Sequence, residues 1–145
     1  MKRYILDTNL LVRFLRNDHP MMSSAAAELF LQSASGKVEL HLEPTIVAET
    51  AFVLTSFYKR GHAEVADAIR DLITGCRLKV PMEEVTLDAL ERFKAKPVDF
   101  PDALVAAIAA HQGVPVASFD RDFDRFKDVK RFEPSVSWKG VGSHY

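Results

Sequence analysis

The sequence has almost no cysteine, no long apolar run and no excess of charge of either sign. Its 145 residues include one cysteine, 19 basic residues and 20 acidic residues, for a formal net charge of −1. The lone Cys76 excludes an internal disulfide and favours a reducing cytoplasm. No apolar run reaches the length of about 18 residues that a membrane span needs. The N-terminal apolar run, Tyr4-Ile5-Leu6, is too short for a signal peptide, so we expect no membrane association.

Several functional motifs are also missing. The five histidines lack metal-ligand spacing such as HxxxH, which argues against a zinc site. The absence of a Gly-rich P-loop or a GxGxxG motif argues against nucleotide-dependent chemistry. Near-neutral charge is not typical of a tight, non-specific nucleic-acid binder. The segment from Arg121 to Arg131 is locally basic, and it is either an ordinary mixed-charge surface or a basic rim around a site.

Strand and helix patterns alternate along the chain. The patterns predict strands at 3–6, 38–42, 77–80, 114–118 and 131–133, and helices at 8–15, 23–33, 45–59, 62–74, 83–94 and 99–111. We expect an irregular tail after Pro134. Strands separated by helices of 10–15 residues indicate parallel crossover units. The sequence therefore predicts a single α/β domain over residues 1–145, a three-layer sandwich with a central, mostly parallel sheet flanked by helices.

Four acidic residues lie where such a fold would bring them to one edge of the sheet. Asp7 directly follows the first strand, and Asp120 lies two residues after the predicted strand at 114–118. Glu49 and Asp102 fall near the starts of predicted helices. Because ligands of open α/β sheets bind outside the carboxyl ends of the strands, this placement lets the four carboxylates meet.

Each acid also has a structural interpretation. Asp7 can cap the helix that follows it, and Asp120 can be a turn residue. Asp99 and Asp102 have the spacing of a capping box, with Asp99 as the N-cap. Glu49 is different, because its helical neighbours are mainly apolar. This pattern predicts a buried carboxylate, which must be paired, hydrogen-bonded, protonated or metal-bound.

Together the four acids indicate a site for a hard divalent cation. Clustered carboxylates repel one another, and their pKa values rise unless a cation neutralises them. A donor set of oxygen atoms alone suits Mg²⁺ or Mn²⁺. Such an ion can polarise a phosphoryl oxygen and lower the pKa of an attacking water, so a phosphate ester is the expected substrate class.

The residues around these acids resemble those of a known family. The motifs are Tyr4-Ile5-Leu6-Asp7-Thr8-Asn9, Glu49, Asp99-Phe100-Pro101-Asp102-Ala103-Leu104 and Ser118-Phe119-Asp120-Arg121-Asp122-Phe123. In order and spacing they look like the PIN-domain ribonucleases, and most of all the VapC-type toxins of bacterial toxin–antitoxin pairs. The resemblance implies catalytic and metal-binding roles for Asp7, Glu49, Asp102 and Asp120. It implies supporting roles for Thr8, Asn9, Ser118 and Asp99, although we favour helix capping for Asp99.

The same resemblance implies an Mg²⁺- or Mn²⁺-dependent endoribonuclease. It also implies an RNA substrate, a homodimer and a cognate antitoxin that plugs the active site. Two other classes remain open from the residues themselves. A catalytically idle PIN-like module that binds RNA or protein would retain the fold without the chemistry. An aspartyl-phosphate phosphatase with Asp7 as nucleophile fits poorly, because Asn9 stands where a second acid is usual.

Overall fold

The computed structural model describes residues 1–135. Its strands are β1 (Lys2–Ile5), β2 (Val38–His41), β3 (Val116–Ala117) and β4 (Arg131–Phe132). Its α-helices are α1 (Thr8–Arg16), α2 (Pro20–Ala34), α3 (Pro44–Phe52), α4 (His62–Gly75), α5 (Glu83–Ala95) and α6 (Phe100–Gln112). A π-helical turn (Val53–Phe57) continues α3, and a 3₁₀ helix (Arg121–Arg125) follows β3. The predicted tail lies outside the described residues from position 136 onward.

The strands run parallel and are flanked by helices, so the predicted α/β class is confirmed. β1 pairs with β2, with Lys2 opposite Val38 and Ile5 opposite His41, and β3 pairs with β4. The carboxyl ends of β1 and β2 lie side by side, since the Leu6 amide donates to the His41 carbonyl at 2.9 Å. The chain segments that follow these strands, leading into α1 and α3, therefore leave the sheet at one edge.

The predicted strands are longer than the observed ones. β3 begins only at Val116 because Pro115 has no amide hydrogen to donate to a ladder. The predicted strand at 77–80 is reduced to one parallel bridge between Lys79 and His41. Within the described residues the strands form two separate parallel pairs, so the sheet is less continuous than the sequence predicted.

The buried core lies between the helices and the parallel strands. Helix α5 packs against α4 and α6, while α1 packs against α2 and α3. The largest fully buried side chains include Phe30, Phe100, Leu11, Leu40, Leu42, Leu54, Ile69, Ile73 and Leu90. Among residues 1–135 no helix is long and apolar enough to cross a membrane. This packing positions α1, α3 and α6, and the candidate acids Asp7, Glu49, Asp99 and Asp102 lie on these helices or at their N-caps.

Candidate active site

Three carboxylates form the tightest acidic cluster in the described part of the chain. One oxygen from each of Asp102, Asp120 and Asp122 lies within 4.8 Å of the other two. We refer to these three residues as the carboxylate triad. The triad combines two of the four predicted acids, Asp102 and Asp120, with a third acid that the sequence reasoning had not assigned to the site.

Local backbone geometry explains how the triad forms. Asp102 lies in the first turn of α6, whose start is fixed by Pro101. Asp120 caps the 3₁₀ helix, and its carboxylate accepts a hydrogen bond from the Asp122 amide at 2.9 Å. The Ser118 hydroxyl oxygen accepts a hydrogen bond from the Asp120 amide at 2.9 Å. These two bonds hold a tight turn after β3 that presents both Asp120 and Asp122 to α6.

The triad carries negative charge that protein cations only partly compensate. The pKa of Asp102 is raised above its ordinary value by burial, and repulsion from Asp120, Asp99 and Asp122 raises it further. Arg125 donates to the Asp122 carboxylate at 3.1 Å, but Asp102 and Asp120 form no ion pair with any described residue. A set of carboxylate oxygens whose charge is only partly compensated fits a hard divalent cation such as Mg²⁺ or Mn²⁺.

Glu49 lies on α3 and is linked to α1 by a side-chain hydrogen bond. The buried Thr8 hydroxyl donates to the Glu49 carboxylate at 2.8 Å. Glu49 itself is exposed, so the prediction of a buried carboxylate was wrong. Of its apolar helical neighbours, Ile46 and Val53 are partly buried, whereas Phe52 is exposed. Thr8 therefore restrains an otherwise solvated carboxylate.

Asp7 occupies the N-cap position of α1, as its structural interpretation predicted. Its side chain, however, makes no capping hydrogen bond. The carboxylate is exposed and forms no hydrogen bond or ion pair with the described residues. With Asn9 and Arg13 it lines a cavity of about 300 Å³ between α1 and α2. Asp7 is thus free of local partners and directly precedes Thr8, the residue that restrains Glu49.

Asp99 occupies the N-cap of α6 without making a side-chain cap hydrogen bond. The predicted capping box is therefore wrong, because neither Asp99 nor Asp102 makes a side-chain capping hydrogen bond among the described residues. The Asp99 carboxylate is exposed. Asp99 and Glu49 line one cavity of about 290 Å³. Asp99 also adds to the repulsion that raises the pKa of Asp102. Asp99 is therefore near both Glu49 and Asp102.

The four predicted acids therefore do not form one cluster. Asp102 and Asp120 meet in the triad, whereas Asp7 and Glu49 lie outside the group whose oxygens are within 4.8 Å of one another. Thr8 connects the position of Asp7 to that of Glu49, and Asp99 connects Glu49 to Asp102. The arrangement gathers negative charge along one edge of the molecule, where a cation and an anionic substrate could meet.

Comparison with known proteins identifies the family. The family model of the PIN domain matches residues 4–129, which is most of the chain. The chain belongs to the PIN domain family. Ribonuclease VapC21 of Mycobacterium tuberculosis (strain ATCC 25618 / H37Rv) is 44% identical over 41 residues. Ribonuclease VapC21 of the CDC 1551 / Oshkosh strain matches equally, and in each case the alignment spans 28% of this chain and 28% of the relative.

Asp122 is a candidate site residue that the sequence reasoning did not single out. Alternate acidic residues in a polar segment are typical of an ordinary mixed-charge surface. The sequence Ser118-Phe119-Asp120-Arg121-Asp122 could have indicated that Asp120 and Asp122 lie together. A turn in which an Asp side chain accepts the amide two residues on brings both acids to one side.

The basic segment from Arg121 to Arg131 consists largely of local ion pairs. Arg131 binds Asp124 and Glu133 at 3.0 and 2.8 Å, and Arg125 binds Asp122. These pairs favour the interpretation of a mixed-charge surface for both arginines. Among the described residues, Arg121, Lys127 and Lys130 have no carboxylate within ion-pair distance. Of the cations in this segment, these three are therefore the ones left to form a basic rim.

Proposed function

We propose that this PIN domain is an Mg²⁺- or Mn²⁺-dependent endoribonuclease that hydrolyses RNA phosphodiesters. The observation that carries the proposal is the carboxylate triad, an oxygen-only donor set within 4.8 Å in which only Asp122 is paired with a cation among the described residues. Membership of the PIN family and the partial similarity to Ribonuclease VapC21 support the choice of RNA as substrate.

Asp102, Asp120 and Asp122 would hold the cation, with Glu49 and Asp7 facing the substrate side of the same edge. A bound ion of this type polarises a phosphoryl oxygen and lowers the pKa of an attacking water. Thr8 fixes the rotamer of Glu49, and Ser118 fixes the turn that carries Asp120. Glu49 and Asp7 would then orient water and accept its proton, since both are exposed carboxylates without a cation partner.

We further propose that the protein is the toxin of a toxin–antitoxin pair, acting in the cytoplasm as a homodimer. A cognate antitoxin would inhibit it by covering the acidic edge. The likeness of its motifs to VapC-type toxins supports this role, and the single Cys76 is compatible with a reducing compartment. Single-stranded or looped RNA is the expected target, because its backbone can reach a recessed cation.

A cleavage assay with matched variants tests the proposal. Labelled single-stranded RNA, total tRNA and total rRNA are incubated with purified protein in Mg²⁺, in Mn²⁺ and in EDTA. We expect cleavage only with the metals, and we expect Asp7→Asn to abolish both cleavage and growth inhibition while the protein stays folded. Asp71→Asn is the control, because Asp71 is an exposed acid on α4 paired with Arg70. It should cleave at the wild-type rate.

The assay also separates the enzyme from the alternative of an idle binding module. Folded, partner-free protein that binds RNA without cleaving it, under every metal condition, would favour that alternative. An Asp7→Asn variant that cleaves as fast as the wild type would contradict the assigned role of Asp7.

A further inference from the structure

A cavity with basic side chains lies where the end of α4, the end of β2 and the start of α5 meet. Its volume is about 650 Å³, which is larger than the cavities that contain Asp7 and Glu49 and lies within the range of ligand-binding pockets. The residues that line it come from the segment 73–83, together with His41 of β2. We call this space the basic cavity.

Two cations of the basic cavity have no protein partner among the described residues. Arg77 and Lys79 line the cavity and are exposed, and neither forms an ion pair or a side-chain hydrogen bond within that part of the chain. Glu83 is the one carboxylate among the described residues of the lining. The cavity therefore carries a net positive charge, which favours an anionic ligand.

The nearby Glu39 carboxylate already has two other partners. It binds Arg3 at 3.1 Å and the His41 ring at 2.7 Å. The pKa of Glu39 is lowered mainly by the hydrogen bond with His41, and the charges of Arg3, His41 and Lys79 lower it further. Around this cavity, basic side chains thus outnumber acidic ones among the described residues.

The backbone conformation of Arg77 is uncommon for a residue with a side chain. Arg77 follows α4 with φ of 56°, in the left-handed region where the residue that closes a helix is usually glycine or asparagine. Gly75 lies two residues earlier, as the last residue of α4, and so does not occupy this position. Backbone geometry alone would favour glycine at position 77, so the charged side chain there is unexplained by the fold.

The basic cavity and the candidate active site lie at the same edge of the sheet. His41 is the last residue of β2, lies opposite Ile5 of β1 and forms a parallel bridge with Lys79. Neighbouring strands are about 4.8 Å apart, so the Lys79 backbone is about 10 Å from Ile5, two residues before Asp7. One polymer can therefore contact both the acidic edge and the basic cavity.

A second copy of the chain does not fit the basic cavity. In a two-fold dimer identical surface patches meet, and a concave patch cannot fill itself. Such a contact would also bring the unpaired Arg77 and Lys79 of both copies together, and like charges oppose association.

A phosphate backbone suits the cavity better. Arg and Lys side chains neutralise the phosphates of nucleic acids. The described lining contains no Phe, Tyr or Trp, so it offers no such ring on which a base could stack. A protein that holds RNA at an acidic edge also needs cations close by, because carboxylates repel phosphates.

We propose that the basic cavity binds backbone phosphates of the RNA substrate through Arg77 and Lys79. This inference rests on the proposed ribonuclease function and adds to it a subsite that positions the strand without reading its sequence. Glu83 limits the affinity of the subsite, since its charge has the same sign as the phosphates.

Binding in EDTA tests the inference separately from cleavage. The probes are fluorescein-labelled oligoadenylate and oligouridylate of about 12 nucleotides, and fluorescence anisotropy gives Kd. Arg77→Gly and Lys79→Gln should each weaken binding of both probes by about three- to tenfold, and each should reduce the slope of log Kd against log salt by about 0.7. Glu83→Gln should instead tighten binding about twofold.

Lys37→Gln is the matched control for the lost charge. Lys37 is exposed and precedes β2, at the end of the strand opposite His41, and its replacement should leave Kd unchanged. All four substituted residues are exposed, so the fold should be retained, and thermal melting checks this. Arg77 could instead serve only the C-terminal end of α4, and Lys79 could only protect a strand edge, but neither role changes RNA affinity.

The outcomes separate this inference from the ribonuclease function. If the wild type cleaves RNA but Arg77→Gly and Lys79→Gln bind it as tightly as the wild type, the subsite is wrong and the ribonuclease function stands. If the variants weaken RNA binding but the wild type cleaves under no metal condition, the subsite stands and the ribonuclease function fails. Binding of AMP that Arg77→Gly abolishes, measured by calorimetry, with unchanged RNA affinity, would assign the cavity to a free nucleotide and overturn the inference.

Discussion

The Thr8 hydroxyl donates a 2.8 Å hydrogen bond to the Glu49 carboxylate and so joins the start of α1 to α3. Thr8 is buried and Glu49 is exposed, so the bond runs from a fixed donor to a carboxylate that would otherwise be mobile. The rotamer of Glu49 is thereby set by the residue that follows Asp7. The bond therefore links Glu49 to the chain position next to Asp7, and these are the two predicted acids that lie outside the carboxylate triad.

Replacing Thr8 by valine should lower the rate of RNA cleavage by about 10- to 100-fold, because the Glu49 carboxylate would lose the bond that orients it toward the attacking water. Valine matches the shape of threonine but cannot donate to Glu49. Thr8→Ser keeps the hydroxyl and should restore most of the rate. Cleavage kinetics and thermal melting on both variants check this, since the fold should be retained. Wild-type cleavage by Thr8→Val would show that the bond is not needed for activity.

Removing one carboxylate from the triad should weaken cation binding. Asp122→Asn should reduce the affinity for Mn²⁺ by about tenfold or more, because one of three closely spaced donors loses its charge. Isothermal titration calorimetry measures the change. Asp124→Asn is the matched control, since Asp124 lies two residues on and is paired with Arg131 rather than with the triad. Equal effects of the two substitutions would contradict the assignment of Asp122.

The raised pKa of Asp102 predicts how pH affects the metal-free protein. Burial is the main cause, followed by repulsion from Asp120, Asp99 and Asp122. The folded state therefore holds this proton more tightly than the unfolded state, and stability falls as pH rises through the raised pKa. Asp102→Asn removes that loss.

In EDTA near pH 7, Asp102→Asn should melt at a higher temperature than the wild type, and the difference should shrink toward pH 4. Added Mn²⁺ should reverse the order, because the ion stabilises the wild type by binding its folded state. Melting curves across this pH range measure both effects. A variant that is less stable than the wild type at pH 7 in EDTA would contradict the prediction.

Arg92 should be important for stability rather than for chemistry. Its side chain is only 11% exposed, binds Asp88 and Asp128, and lies over the Phe126 ring. Arg92→Ala should lower the free energy of unfolding by about 2 kcal/mol, because it leaves the Asp88 carboxylate with His111 as its remaining side-chain partner and removes packing. Urea denaturation measures the loss, and the affinity for Mn²⁺ should not change.

The control for Arg92 is Arg60→Ala, which breaks an exposed pair with Glu64. Exposed pairs of this kind contribute about 0.5 kcal/mol or less. A similar loss from both substitutions would argue against a special role for the Arg92 network.

Helices were predicted more accurately than strands, for local physical reasons. The predicted helix at 99–111 matches α6, because Pro101 marks its start and Gly113 ends it in a left-handed conformation. The start of α2 was predicted too late, since His19 caps it in place of the usual Ser, Thr, Asp or Asn. Strand lengths depend on pairing partners, which a single sequence does not specify.

The proximity of Asp102 and Asp120 was predictable from the sequence, whereas the grouping of the other acids was not. Asp102 and Asp120 could be placed near one another because Asp102 follows the helix-starting Pro101 and Asp120 follows a predicted strand. The inclusion of Asp122 depends on the side-chain conformation of the turn at Asp120. The exposure of Glu49 depends on how α3 rotates against α1, which its apolar neighbours alone could not specify. Tertiary packing therefore determined which acids meet.

The nature of the nucleophile tests the central claim most directly. After cleavage in Mn²⁺ has been mapped on an all-RNA oligonucleotide, the same oligonucleotide is made with a 2′-deoxy residue at the scissile position, and the product ends are analysed by mass spectrometry. The account predicts that cleavage persists, requires the metal and leaves no 2′,3′-cyclic phosphate, because water rather than the 2′-hydroxyl attacks phosphorus. Cleavage that continues in EDTA, stops at the 2′-deoxy residue and yields a cyclic phosphate would contradict it.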